Sequence, residues 1–419
     1  MIALPFIYFG LLLVNQLRKN KWQVDIASYI LAIYAVSGFF SILIDVFNLR
    51  SLDTIHYSIS LYSSLCYCGL LTLCVWPFMR YSNLQIKKIK PIKNPGFIKI
   101  VVTALAVFFI INLVFSFQNI IEVVTSDDLN RIRKDHKDYE DESWISSLPF
   151  PFRQFFVFLN LISGASWISI FLAFFLIVVQ KGTRKYGYLS LIASFNGIIG
   201  SVLDGGRSAI MMWFIGFLAC YLFFKPFMNG KQKRTVRIVF FVLGSLFVTF
   251  VTAVTISRFG DRDAGSVSGS QGGLISYAGQ SYINFCYFWD TFDCPMPTLQ
   301  VLFPFTSKLL GSPVENAIAL QGVLSAMSNR ELGVFYTFIG HIATSSHNIV
   351  AVIYCILISV LSINIINRIN NHQCSITICY SYLMFSSILF MGLFGHYYAY
   401  SGKTMSILFF AIVLSRFKK

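Results

Sequence analysis

Residues 97–117 read FIKIVVTALAVFFIINLVFSF, with one charge, at Lys99. As a helix rising 1.5 Å per residue, this stretch is about 31 Å long. That matches the ~30 Å of hydrocarbon in a bilayer. Blocks of the same kind recur on both sides: 2–17, 26–47 and 57–79 before it, then 154–180, 186–203, 208–224, 237–256, 333–366, 374–394 and 398–416. The block 333–366 is too long for one crossing, and its polar stretch Gly340 to Asn348 predicts a break. Apolar residues make up 56% of the chain and charged residues 12%, against about 25% charged in a soluble domain. The blocks are solid rather than alternating, which excludes a barrel. The expected fold class is all-α: a single integral membrane domain over 1–419, a polytopic bundle of about eleven transmembrane helices. Ile2 to Leu17 lacks a basic leader and a small-residue cleavage site, so it reads as a retained helix.

The net charge of +15 does not point to nucleic acid, because the basic residues sit in short loops between apolar blocks. Arg18, Lys19 and Lys21 fall in one such loop; Arg80, Lys87, Lys88, Lys90, Lys93 and Lys99 cluster around the next. Lys181, Arg184 and Lys185 follow, then Lys225, Lys231, Lys233, Arg234 and Arg237, then Arg368, and finally Arg416, Lys418 and Lys419. Asp25 is the one acid among them. The positive-inside bias makes these loops cytoplasmic. The N-terminus is then expected outside and the C-terminus inside, in a bacterial cytoplasmic membrane.

Two segments on the other side are long. Outer loop 1, 118–153, contains a charged stretch from Thr125 to Glu142 with a helix-start pattern at Thr125-Ser126-Asp127-Asp128. A surface amphipathic helix or a solvated linker helix is expected there. Outer loop 2, 257–332, carries a Gly/Ser tract, Gly265 to Gly273, and aromatic stretches at Tyr282 to Phe292 and Leu299 to Phe305. These read as short helices lying on or dipping into the membrane surface. Cys286 and Cys294 share this loop, as a disulfide or as two free thiols. Cys66, Cys68 and Cys74 lack nearby His or carboxylate partners, so they do not suggest a metal site.

Three polar clusters border the expected outer face. The first is the turn Asp204-Gly205-Gly206-Arg207-Ser208. Its glycines permit close approach of backbone to a ligand. Arg207 and the amides that open the next helix suit an anion. The plain alternative is a tight turn with a snorkelling arginine. The second cluster is Arg258-Phe259-Gly260-Asp261-Arg262-Asp263. Arg258 and Arg262 share a face if the helix continues. Asp261 and Asp263 suit ion pairing with these arginines better than a metal, because Arg262 stands between them. The third cluster is Asn329-Arg330-Glu331 with Thr337, His341, Ser345, Ser346, His347 and Asn348. A neutral imidazole here suits a general base or a hydrogen-bonded interfacial histidine. Neither a metal nor another cofactor is expected.

An anion at a membrane interface, facing placed arginines, suggests a lipid-linked diphosphate sugar. Its leaving group gains negative charge that arginines stabilise. At these residues the chain resembles the bacterial O-antigen polymerases, in particular the oligosaccharide repeat unit polymerase branch. The resemblance rests on Asp204-Gly205-Gly206-Arg207-Ser208 opening a helix, on Arg258 ending the following one, and on Tyr336-Thr337 after a large outer loop. Arg258-x10-Gly269 is similar to a pattern of some polymerases, as is Arg262-x10-Gly273. His347-Asn348 is similar to the His-Asn pair of O-antigen ligases. An Asp-Phe-Gly-like segment, frequent after the Tyr-Thr pair in the polymerase branch, is absent.

The resemblance implies a metal-independent glycosyltransferase of surface polysaccharide or lipopolysaccharide biosynthesis. Donor and acceptor would be undecaprenyl-diphosphate-linked oligosaccharides, and a chain-length regulator is a possible partner beside the lipid bilayer. Arg207 and Arg258 would bind the donor diphosphate, with Asp204, Gly205 and Gly206 shaping the turn. Arg262 and Arg330 would assist or bind the acceptor. His347, or failing it His341, would be the base. The alternatives are a ligase using the same donor and a lipid-linked oligosaccharide flippase or transporter.

Overall fold

The computed structural model describes residues 1–50, 53–125, 145, 148–203, 208–259, 270–304, 317–332, 335–369 and 371–417. In chain order the helices are α1 (Leu4–Lys19), α2 (Ile26–Val46), α3 (Leu61–Arg80), α4 (Gly96–Thr125), α5 (Phe152–Ser163), α6 (Ser166–Phe174) and α7 (Arg184–Ala193). They continue with α8 (Asn196–Leu203), α9 (Ser208–Phe224), α10 (Gly230–Phe259), α11 (Ser270–Thr291), α12 (Ala317–Ser328), α13 (Thr337–Ser345), α14 (Asn348–Ile366), α15 (Ile376–Phe390) and α16 (Ser401–Ser415). Two-residue strands β1 (Lys88–Ile89) and β2 (Gln373–Cys374) pair in parallel. The charged stretch expected as a helix from Thr125 lies outside the described residues, apart from Thr125 itself at the end of α4.

Among the described residues, α2, α3, α4, α9 and α14 are long and apolar enough to cross a membrane. A sixth crossing results if α5 and the helical run from α6 to Val179 count as one, bent by 71°. The outward faces agree with this reading. Ile100, Val114 and Phe115 on α4 and Ile349, Ile353 and Leu357 on α14 are at least half exposed. Stripes of that size on a water-soluble surface would be sticky; against lipid they are at home. The break expected in 333–366 falls at Ser346-His347, between α13 and α14.

The chain divides into two compact units. Unit 1 comprises Met1–Ile86, Gly265–His372 and Ser381–Thr404. At its start the buried Asp25 caps α2: one carboxylate oxygen accepts the Ser28 N–H at 2.8 Å and the Ser28 hydroxyl at 2.6 Å. The other oxygen accepts the Gln16 amide at 2.9 Å, tying the end of α1 to the start of α2. Phe9, Tyr34, Tyr67, Tyr282 and Phe285 pack edge to face or tilted in the core.

Helix α11 departs from the sequence expectation. Instead of short surface pieces, the segment forms one helix of 22 residues, and Ser281, Tyr282, Phe285 and Cys286 are fully buried. Its small residues explain why. At Gly279 the backbone lies against Phe40 so closely that a Cβ would stand 2.4 Å from the Phe40 carbonyl carbon. Hydroxyls of α2 then satisfy carbonyls of α11: Ser37 donates to Ala278 at 2.9 Å and Ser41 to Gly279 at 2.6 Å. The Tyr282 hydroxyl meets Ser64 of α3 at 2.7 Å. Cys286 and Cys294 are both free thiols.

Unit 2 comprises Lys87–Ala264, Gln373–Tyr380 and Met405–Lys419. The buried Trp213 of α9 stacks on Phe195 and Phe217 and donates its indole N–H to Ser194 at 2.7 Å. Near the 71° bend, Asn196 donates to the Ser163 hydroxyl and accepts from Asn112 at 2.9 Å. These side chains keep polar groups paired where the helix is interrupted, as a low-dielectric setting demands. The Gln180 amide pairs with both the N–H and C=O of Ile92, at 2.8 and 3.0 Å.

Candidate functional site

Of the residues singled out in the sequence, Asp204, Gly205, Gly206, Arg207 and Arg262 lie outside the described residues, with Asp261 and Asp263. Arg258 belongs to the last turn of α10 in unit 2; its side chain is outside the description. Arg330, His341 and His347 belong to unit 1, and the last turn of α11 is their common support.

That turn reaches each of the three segments. The Phe288 ring packs against Tyr336, just ahead of α13, at 5.2 Å. The Trp289 carbonyl accepts the Asn348 amide at 3.1 Å, fixing the α13–α14 junction. The Thr291 hydroxyl accepts from Arg330 at 2.7 Å, and the guanidinium lies over the Tyr287 ring at 5.3 Å. Tyr57 donates to the Asp290 carboxylate and packs edge-on against Tyr287. Burial and that carboxylate both raise the Tyr57 phenol, keeping it protonated.

His347 is exposed and serves as the N-cap of α14, its Nδ1 accepting the Ile349 N–H at 3.2 Å. His341 is buried in α13. Its Nδ1 accepts the backbone N–H of His396 at 3.2 Å. Its Nε2 lies 3.2 Å from the side-chain amide of Gln321. The same amide is 2.9 Å from the Tyr336 hydroxyl, which donates to the Leu332 carbonyl at 3.1 Å. His396 repeats the pattern: its Nδ1 accepts the Tyr398 N–H at 3.1 Å, and its Nε2 lies 2.8 Å from the Tyr354 hydroxyl. Sequence reading missed Gln321, Tyr354 and His396. The polar run Gly395 to Tyr400 between two apolar blocks was the available signal.

The geometry fixes the protons. A ring nitrogen that accepts a backbone N–H carries no proton, so both neutral imidazoles carry theirs on Nε2. The Nε2–H of His341 faces the Gln321 amide nitrogen that donates to Tyr336; for the Gln321 carbonyl to accept it, the amide must turn over and the Tyr336 hydroxyl must donate to that carbonyl in place of Leu332. Burial pushes both imidazoles down, His341 to about 4; for His396, burial and then the neighbouring His341 bring it to about 3. The pair is therefore neutral at pH 7 and presents donors. For either ring to take a proton on Nδ1, it must first release a backbone amide.

Thr337 opens α13 with φ +62°, a left-handed conformation that costs a side-chain-bearing residue about 1–2 kcal/mol. The Phe338 N–H bonded to the Gly392 carbonyl at 2.7 Å holds it there. Among the described residues no group of three His, Cys, Asp or Glu side chains is arranged to hold a metal ion.

The chain matches no family model, no curated protein and no solved structure.

Proposed function

We propose that the chain is a polysaccharide polymerase of the bacterial cytoplasmic membrane, joining polyprenyl-diphosphate-linked repeat units on the non-cytoplasmic side. In this reading it crosses the membrane about eleven times, with the N-terminus outside and the C-terminus in the cytoplasm. The observation that carries the proposal is the placement of Arg207 and Arg258 at ends of apolar blocks on the acid-bearing side. With 17 of the 18 acids against 12 of the 33 Lys and Arg, that face is net acidic and has no general field for an anion, so individual arginines must provide the site.

The acceptor hydroxyl oxygen attacks the anomeric carbon of the donor sugar. A carbon–oxygen bond forms, the bond to the diphosphate breaks, and polyprenyl diphosphate departs with the electron pair. Arg207 and Arg258 stabilise the charge on that leaving group, and Arg262 and Arg330 assist or hold the acceptor. The hydroxyl proton passes to a base. His347 is the exposed candidate for it and His341 the buried one; either would first have to free the Nδ1 that accepts a backbone N–H.

Arg258→Ala tests the reading. The variant is expected to fold and insert normally yet make no long polysaccharide, leaving single-repeat product on a gel. Normal chain lengths would remove Arg258 from the mechanism. His347-Asn348 favours a second reading, a ligase with the same donor; loss of the gene would then leave no attached repeat. Purified protein in detergent that extends lipid-linked repeats excludes a transporter.

A further inference from the structure

Two cysteines of unit 2 lie within bonding reach of each other. The sulfurs of Cys374, in β2, and Cys379, in the first turn of α15, are 2.8 Å apart. Both residues are free thiols and fully buried. A disulfide bond is about 2.05 Å long, so less than ~1 Å of travel separates the pair from a covalent link.

The backbone explains the approach. Cys374 stands opposite Ile89 of β1, and its carbonyl accepts the Lys90 N–H at 2.9 Å. Ser375 then turns the chain into α15. Its hydroxyl accepts the Ile378 N–H at 3.4 Å and its carbonyl the Cys379 N–H at 3.0 Å, which returns residue 379 to residue 374. The helix side of the pair is held by the interior of unit 2. Tyr380 stacks on Trp167 at 5.7 Å and donates to the Ile407 carbonyl at 2.9 Å, and Thr377 donates to the Leu414 carbonyl at 2.8 Å. The strand side is held by a ladder two residues long.

That strand side is the part that can open. Asn371, His372 and Gln373 are exposed. The turn ahead of β2 is left-handed at Asn371 and His372, with φ +48° and +57°, a conformation disfavoured for residues with a side chain. Buried thiols are inert where they lie. A short segment with few backbone bonds opens at low cost, and its opening brings Cys374 out first, while Cys379 stays with the helix.

We propose that Cys374 and Cys379 are a reversible redox pair, which hydrogen peroxide converts to an intrachain disulfide. The Cys374 sulfur attacks one peroxide oxygen. A sulfur–oxygen bond forms, the oxygen–oxygen bond breaks, and hydroxide leaves with the thiol proton as water, so Cys374 becomes a sulfenic acid. The Cys379 sulfur attacks the Cys374 sulfur. The disulfide forms, the sulfur–oxygen bond breaks, and the second hydroxide leaves as water with the Cys379 proton. Two molecules of a small thiol reverse the change by exchange and depart as their own disulfide. In the topology proposed above this end of α15 faces the cytoplasm, where protein disulfides are transient and redox-sensing. Neither step involves the polymerase chemistry.

The test uses full-length protein in detergent, exposed to hydrogen peroxide. Catalase ends the exposure, remaining thiols are alkylated in denaturant, and tryptic peptides are weighed. The peptide Ile369–Lys403 contains both cysteines and no other. After peroxide it is expected without alkyl groups and lighter by two hydrogens; after peroxide and then dithiothreitol it is expected doubly alkylated. In Cys379→Ser the sulfenic acid on Cys374 has no partner, and dimedone should capture it there. A peptide still doubly alkylated after prolonged exposure to excess peroxide overturns the proposal. So does either cysteine joined to a different one, a link that forms only in unfolded protein, or no dimedone adduct on Cys374 in Cys379→Ser.

Discussion

The backbone N–H of His396 donates to Nδ1 of His341, joining two histidines 55 residues apart. This bond makes the interior of unit 1 depend on neutral imidazoles. Protonation of either ring on Nδ1 turns an acceptor into a donor facing an N–H.

Stability should therefore depend on pH in a stated direction. Both folded-state values, about 4 and about 3, lie below the ~6.5 of an unperturbed imidazole. Below pH 6.5 the unfolded chain binds more protons than the folded one, so stability is full above about 6.5 and falls as pH drops toward 4. Thermal unfolding in detergent should show this loss, and His341→Gln with His396→Gln should flatten it. A wild-type profile flat from pH 7 to 4 would refute the buried neutral pair.

Gln321→Leu tests the amide that serves both His341 and Tyr336. It strands the His341 Nε2–H in a buried site, at a cost of about 1–3 kcal/mol. The melting temperature should fall clearly in Gln321→Leu. Melting equal to the wild type would mean that this amide contributes nothing.

Asp25→Ala removes three hydrogen bonds and a helix cap at once. A cap is worth about 1 kcal/mol and bonds to a charged group about 1.5–3 each, and the losses are shared rather than additive. A destabilisation of about 2–4 kcal/mol is expected, less for Asp25→Asn. Equal melting of Asp25→Ala and wild type would contradict the link between α1 and α2.

Gly279→Ala puts a methyl into the Phe40 backbone, which has no rotamer to yield. Overpacking of that kind costs about 1–3 kcal/mol or more. Gly10→Ala is the control, because nothing lies within 4 Å of its added carbon. Similar melting of the two variants would show that the α2–α11 contact is looser than described.

The sequence made the apolar helices legible because a bilayer tolerates few alternatives. The blocks 26–47, 57–79 and 208–224 correspond to α2, α3 and α9 within a few residues, whereas 97–117 lies inside α4, which runs eight residues further, to Thr125, into the segment expected as outer loop 1. The break before His347 was legible too, from the polar residues of Gly340 to Asn348. Helix α11 was not. Its glycines, serines and Gln280 look like a surface segment to any average over residues. What decides its burial is pairing with Ser37 and Ser41, which lie far away in the chain. The same limit hid Gln321 and His396 as partners of His341, since nothing local announces a contact across 55 residues. Arg330 was legible as a residue of interest; its seat on Tyr287 was not.

The low hydropathy of α11 has a consequence for how the chain is made. A helix with this composition is poorly recognised by an insertion machinery that partitions segments one at a time into lipid. Its favourable environment is the groove formed by Ser37, Phe40 and Ser41 on α2, which is synthesised more than two hundred residues earlier. The first helices must then wait, with that face of α2 uncovered, until α11 arrives. Biogenesis is therefore committed late, and a chain truncated before Ser270 should be a substrate for quality-control proteolysis even though α2, α3, α4 and α9 are already inserted.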